Sequence, residues 1–100
     1  MSNPHEITLA EAITMTQAYQ NDPFFSLQTL SAKIPADAYL DIINQTGCEE
    51  VRTYFAKNDL GDLTLVVVGV DEYGNDMANG KIMNKFTRCP DDCPQNSPLM

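Results

Sequence analysis

Leu63-Thr64-Leu65-Val66-Val67-Val68-Gly69-Val70 is the most apolar run in the chain and is rich in β-branched residues. Its length suits a strand rather than a helix. Turn-forming residues bound it on both sides, Asn58-Asp59-Leu60-Gly61-Asp62 before and Asp71-Glu72-Tyr73-Gly74-Asn75-Asp76 after. In an extended chain Leu63, Leu65 and Val67 face one way and Val66, Val68 and Val70 the other. A strand with one wet face alternates apolar and polar residues; this one does not, so it is expected to be central and covered on both faces.

Working outward, Val51, Thr53 and Phe55 alternate with Arg52, Tyr54 and Ala56, which predicts a preceding strand. The turn through Gly61 makes the two an antiparallel hairpin. Lys81 to Phe86 is expected to add a third strand, its lysines suiting a sheet edge. Leu30, Ala32 and Ile34 alternate with Ser31 and Lys33, predicting one short half-buried strand earlier in the chain.

Two helices are expected. Thr8 and Glu11 form a capping box, with Leu9, Ala12, Ile13, Thr16 and Tyr19 on one face, and Asn21-Asp22-Pro23 ends the segment near Gln20. Phe24 and Phe25 are expected to anchor the following loop in the core. Pro35 suits the first position of a second helix, running to about Thr46 and closed by Gly47. Asp37 and Asp41 lie on its flank, as a solvated face. The predicted fold class is α+β: two helices packed on a small, mainly antiparallel sheet, with a meander in the C-terminal half. Residues 1–100 read as one domain, with irregular tails at 1–6 and 88–100. If two helices do not suffice to cover both faces of the central strand, a dimer partner is the natural second cover.

Fourteen acidic against six basic residues give a net charge of −8. That charge repels phosphate backbones, so neither nucleic acid nor an anionic membrane surface is an expected partner. No apolar run approaches the ~20 residues of a membrane-spanning helix, and Met1-Ser2-Asn3-Pro4-His5-Glu6 lacks the basic and apolar regions of a signal peptide. The expected location is the cytoplasm. Three cysteines are an odd count and do not fit the disulfide framework of a secreted mini-protein.

The hairpin register brings acidic residues together. With Lys57 opposite Leu63, Glu50 falls near Val70 and Glu49 near Asp71, at the sheet end that holds Glu72, Asn75 and Asp76. Glu49, Glu50, Asp71, Glu72, Asn75 and Asp76 are therefore the candidate binding cluster. Its oxygens suit a hard cation such as calcium, although the turn lacks the alternating ligands of a helix–loop–helix calcium loop. Cys89 and Cys93, three residues apart, have the spacing of half a zinc site, which Cys48 and His5 would complete. A local disulfide and free thiols are the other readings. Asp91 and Asp92 between the thiols oppose thiolate formation. No nucleophile motif, phosphate loop or dinucleotide fingerprint is present.

Gly47-Cys48, Arg52-x-Tyr54, Leu65 to Asp71 followed by Gly74-Asn75-Asp76-Met77, and Cys89-Pro90-x-x-Cys93 together resemble a family of small uncharacterised bacterial proteins. The resemblance covers roughly residues 6 to 94. It implies no catalytic activity and associates the Gly-Asn-Asp turn with the cysteine tail. The function expected from the sequence is a non-enzymatic cytoplasmic binding or regulatory module acting through protein contact or self-association, as a homodimer. The alternatives are a protein stabilised by zinc or calcium, and an enzyme using the acidic cluster on a cationic or sugar-like substrate.

Overall fold

The computed structural model describes residues 3–24, 28–90 and 92–100. Its centre is the strand β3, Leu63–Asp71, lying between β2, Cys48–Lys57, and the short β4, Ile82–Met83, in an antiparallel sheet of order β2-β3-β4. The hairpin register runs from Lys57 opposite Leu63 to Glu50 opposite Val70, as the sequence predicts. At its far end the ladder shifts, so that Cys48 rather than Glu49 faces Asp71 and Glu49 is the extra residue of a bulge.

Each face of β3 has its own cover. Helix α2, Ala36–Ile43, lies over the Val67 side, where Ile42, Ala38 and Ile34 meet Val67 and Met83. Ile42 and Val67 are each only 1% exposed. Gly69 continues this face, and a Cβ there would sit 3.0 Å from the Cys48 sulfur and 3.3 Å from that of Met77. A side chain at position 69 would push those sulfurs away. On the opposite face Val68 and Val70 are also buried. By register they share that face with Arg52, paired to Val68, and Asp76, paired to Val70.

Helix α2 ends at Ile43 with Asn44 as its C-cap, short of the expected Thr46. The Ile42 carbonyl accepts from both the backbone N–H and the side-chain amide of Gln45. The Cys48 N–H bonds back to the Gln45 carbonyl, turning the chain into β2. Gly47, at φ 89°, belongs to that turn rather than to the helix end.

The expected third strand is also shortened. After Met83 the Asn84 side-chain amide donates to the Leu65 carbonyl, and Lys85 at φ 57° turns the chain out of the sheet. The chain then forms β5, Thr87–Cys89, which pairs antiparallel with β1, Ser31–Lys33, as a second sheet. The half-buried strand read from Leu30, Ala32 and Ile34 thus joins the C-terminal segment and not the central strand. Arg88 and Cys89, read as the start of an irregular tail, are ordered by that pairing.

Helix α1, Leu9–Gln20, starts on the predicted capping box: the Glu11 N–H donates to the Thr8 hydroxyl and the Thr8 N–H to the Glu11 carboxylate. Ala12, Ile13, Thr16, Gln17, Tyr19 and Gln20 are its half-buried residues, but none is fully buried and Leu9 is exposed. The helix does not seal the sheet. Polar bonds hold it instead, from Tyr19 Oη to the Thr29 carbonyl at 2.8 Å and from Gln17 and Gln20 to the carbonyls of Met100 and Leu99. Phe24, expected to be a core anchor, is 78% exposed; Phe25 lies outside the described residues. Among the described residues the architecture is therefore two helices with antiparallel sheets of three and two strands, an α+β fold. No helix there is long and apolar enough to cross a membrane.

With so few buried side chains, truncating one of them should be costly. Ile42→Ala is expected to lower unfolding free energy by about 3 kcal/mol, and Leu60→Ala, at an exposed site, by less than about 0.5 kcal/mol; urea titration separates them. The capping box predicts a pH effect. The Thr8 backbone N–H and then its hydroxyl hold the Glu11 carboxyl below its ordinary value of 4.5. A folded-state pKa below the unfolded one stabilises above the ordinary glutamate range and is lost as pH falls through the lowered value. The helical circular-dichroism signal should therefore decline on acidification through that window, and Glu11→Gln should remove this part of the decline.

Candidate functional site

The acidic end of the sheet is built by the turn that follows β3. One carboxylate oxygen of Asp71 accepts from the N–H groups of Tyr73 (2.9 Å) and Asn75 (3.0 Å). The Asp71 carbonyl accepts from Gly74, which stands at φ 82°. Asp71 is thus engaged in shaping its own turn, as Asp and Asn are in loops of this kind. Asn75 is exposed and its backbone carbonyl bonds back to the Asp71 N–H.

Asp76 is engaged differently. Its carboxylate accepts from Arg52 Nη1 at 2.6 Å and from the Tyr54 hydroxyl. Arg52 and Tyr54 stand on β2, whereas Asp76 is bridged to the opposite edge of β3. The three side chains therefore reach over the central strand and form a polar strap across Val68 and Val70. The Tyr54 side chain first, and the negative charge of Asp76 second, raise the Arg52 pKa, so the guanidinium stays charged. Arg52 and Tyr54 are thus both paired with Asp76.

Of the six cluster residues, Glu49, Glu50 and Glu72 present exposed side chains at this end. Asp71 and Asp76 are held by the contacts above. The cluster is a shared sheet end, with its carboxylates divided between structural bonds and solvent.

The cysteines are divided too. Cys89, fully buried, is disulfide-bonded to Cys93. Cys48 is a free thiol at the α2–β2 junction, its sulfur donating to the Glu50 carbonyl at 3.3 Å. Cys48, Cys89, Cys93 and His5 are not gathered as a ligand set; among the described residues no three His, Cys, Asp or Glu side chains are. The Gly74-Asn75-Asp76 turn belongs to the three-stranded sheet and Cys89 to the two-stranded one.

One feature has no counterpart in the sequence reading. Between α1 and the Leu63 end of the sheet lies an open groove of about 410 Å³, walled by Met15, Tyr19, Leu30, Phe55, Leu63 and Leu65. Its walls come from four separate elements, so no local pattern announces it. A smaller recess of about 280 Å³ lies near Thr29, Asp62 and Arg88. There Arg88 pairs with Asp62 at 3.3 Å and the Thr29 hydroxyl donates to the Leu63 carbonyl, tying the two sheets together.

No protein-family model, curated protein or solved structure matches this chain. What it can do rests on its own side chains.

The polar strap makes a direct prediction. Asp76→Asn should lower the thermal midpoint, and a double-mutant cycle of Asp76→Asn with Arg52→Gln should show favourable coupling between the two residues. Because both side chains are partly exposed, that coupling should shrink as salt is raised.

Proposed function

We propose that the protein is a non-enzymatic binding or regulatory module that works by contact with protein surfaces. The observation that carries this reading is the amount of surface the chain leaves uncovered. Its accessible area is 7637 Å², against about 5,650 Å² for a compact monomer of this mass, an excess of roughly 2,000 Å². The radius of gyration, 15.3 Å, likewise exceeds the ~13 Å of a compact hundred-residue domain. Large apolar side chains contribute to it: Phe55, Leu60 and Tyr73 are each at least 80% exposed, and Met15 and Leu9 more than half. Met15 and Phe55 wall the same groove, and a contiguous exposed apolar patch of this kind marks an interaction site.

Charge supplies the second half of the reading. Glu49, Glu50 and Glu72 form an acidic rim on a chain of net charge −8, which favours basic partner surfaces and disfavours nucleic acid. Asp71 and Asp76 support that rim by fixing the turn and strapping the sheet. A cytoplasmic setting, which we include in the proposal, keeps thiols reduced.

Two measurements test this. Immobilised wild-type protein should capture a partner set that is lost both with Phe55→Asp and with Glu49→Lys/Glu50→Lys/Glu72→Lys; an unchanged set for both would overturn the assignment. Alkylation of protein quenched directly from cells should label three thiols in the cytoplasm. Labelling of Cys48 alone would place the working protein in an oxidising compartment.

A further inference from the structure

Among the described residues the outer edge of β2 is open: the strand ends the three-stranded sheet and pairs only with β3. Among the described residues no backbone group from Val51 to Ala56 bonds to anything beyond that ladder. Folded proteins ordinarily blunt such edges with mid-strand charges, proline or bulges. Here the bulge lies at the beginning, at Glu49, and the stretch has no proline. The single charge between Val51 and Ala56 is Arg52, which is drawn inward onto Asp76. The side chains left along the edge are Val51, Thr53 and Phe55 on one face, all exposed.

We infer that the partner of this edge is the β2 edge of a second copy of the same chain, paired antiparallel about a two-fold axis at Thr53. The inference rests on the reading of the protein as a binding module and names its partner. The strand begins acidic, at Glu49 and Glu50, and ends basic, at Lys57. Antiparallel self-pairing therefore sets each acidic end against the other copy's basic end.

A two-fold axis normal to the sheet keeps like faces together, so only registers centred on a residue are allowed. Centred on Thr53, Glu49 meets the partner's Lys57, Val51 meets the partner's Phe55, and Arg52 lies beside the partner's Tyr54. Centred on Arg52, two guanidinium groups would oppose each other and Glu49 would meet an aromatic ring. Centred on Tyr54, Lys57 would face a valine and the acidic residues would overhang the end of the ladder. Of these three, the Thr53 register is the one that matches both charge and apolar surface along the whole strand. It joins two three-stranded sheets into one of six strands and covers Phe55, one wall of the groove. The excess accessible area exceeds the ~800 Å² per partner that a standard interface removes from each protein.

Light scattering on the full chain should give a mass twice 11.1 kDa at high protein concentration, falling on dilution. Lys57→Glu alone, or Glu49→Lys/Glu50→Lys alone, should weaken this dimer at least tenfold. Mixing the two variants should restore it as a heterodimer, because every terminal pair is then again of opposite charge. In a Cys48→Ser background, Thr53→Cys should cross-link two copies on mild oxidation, since directly paired residues meet the distance a disulfide needs. Phe55→Cys in that background should not, because its expected neighbour is a valine.

A monomer at all concentrations overturns the inference, as does a dimer that ignores the charge exchange and fails to cross-link at position 53. Neither outcome touches the binding-module reading, which falls only if capture is unaffected by the surface variants above. Restoration on mixing also shows that each variant is folded, so loss of association by the single variants cannot be mistaken for unfolding.

Discussion

A strand apolar on both faces has to be covered on both, and the rest of the molecule is arranged around that requirement at β3. One roof is hydrocarbon: Ile42 of α2 presses onto Val67, and the absence of a side chain at Gly69 lets Cys48 and Met77 come close. The other roof is polar. Arg52 and Tyr54 both donate to the Asp76 carboxylate above Val68 and Val70, so the charged groups that lie over apolar ones are hydrogen-bonded to each other.

Those two roofs cover only the Val67–Val70 half of the strand. Toward Leu63 the cover thins, because no residue of α1 is fully buried. The helix is held by hydrogen bonds from Tyr19, Gln17 and Gln20. Such bonds fix a position but bury little, and the groove is what remains between helix and sheet. The same shortage of cover leaves Phe55 and the outer edge of β2 exposed. An open groove and an unpaired edge thus share one origin: among the described residues no apolar element is long enough to close the sheet.

The second sheet is tied to the first by polar contacts at its near end, where Arg88 reaches Asp62 and the Thr29 hydroxyl reaches the Leu63 carbonyl. The Cys89–Cys93 link pins the chain as it leaves β5. The Arg88–Asp62 tie is partly solvated on its Asp62 side.

Local chemistry determined a good deal. The two-sided valine run, the alternation of Val51 to Ala56, the Thr8–Glu11 box and the turn at Gly74 are all properties of neighbouring residues. Each is realised where the sequence places it, and the hairpin register follows from turn length and alternation. The shared sheet end of Glu50, Asp71 and Asp76 follows from that register. Other features depend on contacts between residues far apart in the chain. Asn84 ends β4 by capturing the Leu65 carbonyl. The pairing of residues 31–33 with residues 87–89, the use of Asp76 as a strap and the groove beneath α1 belong to the same class. Sequence patterns record which faces are apolar and where the chain can turn; which distant partner takes each face, carbonyl or carboxylate is settled only when the folded elements compete for them.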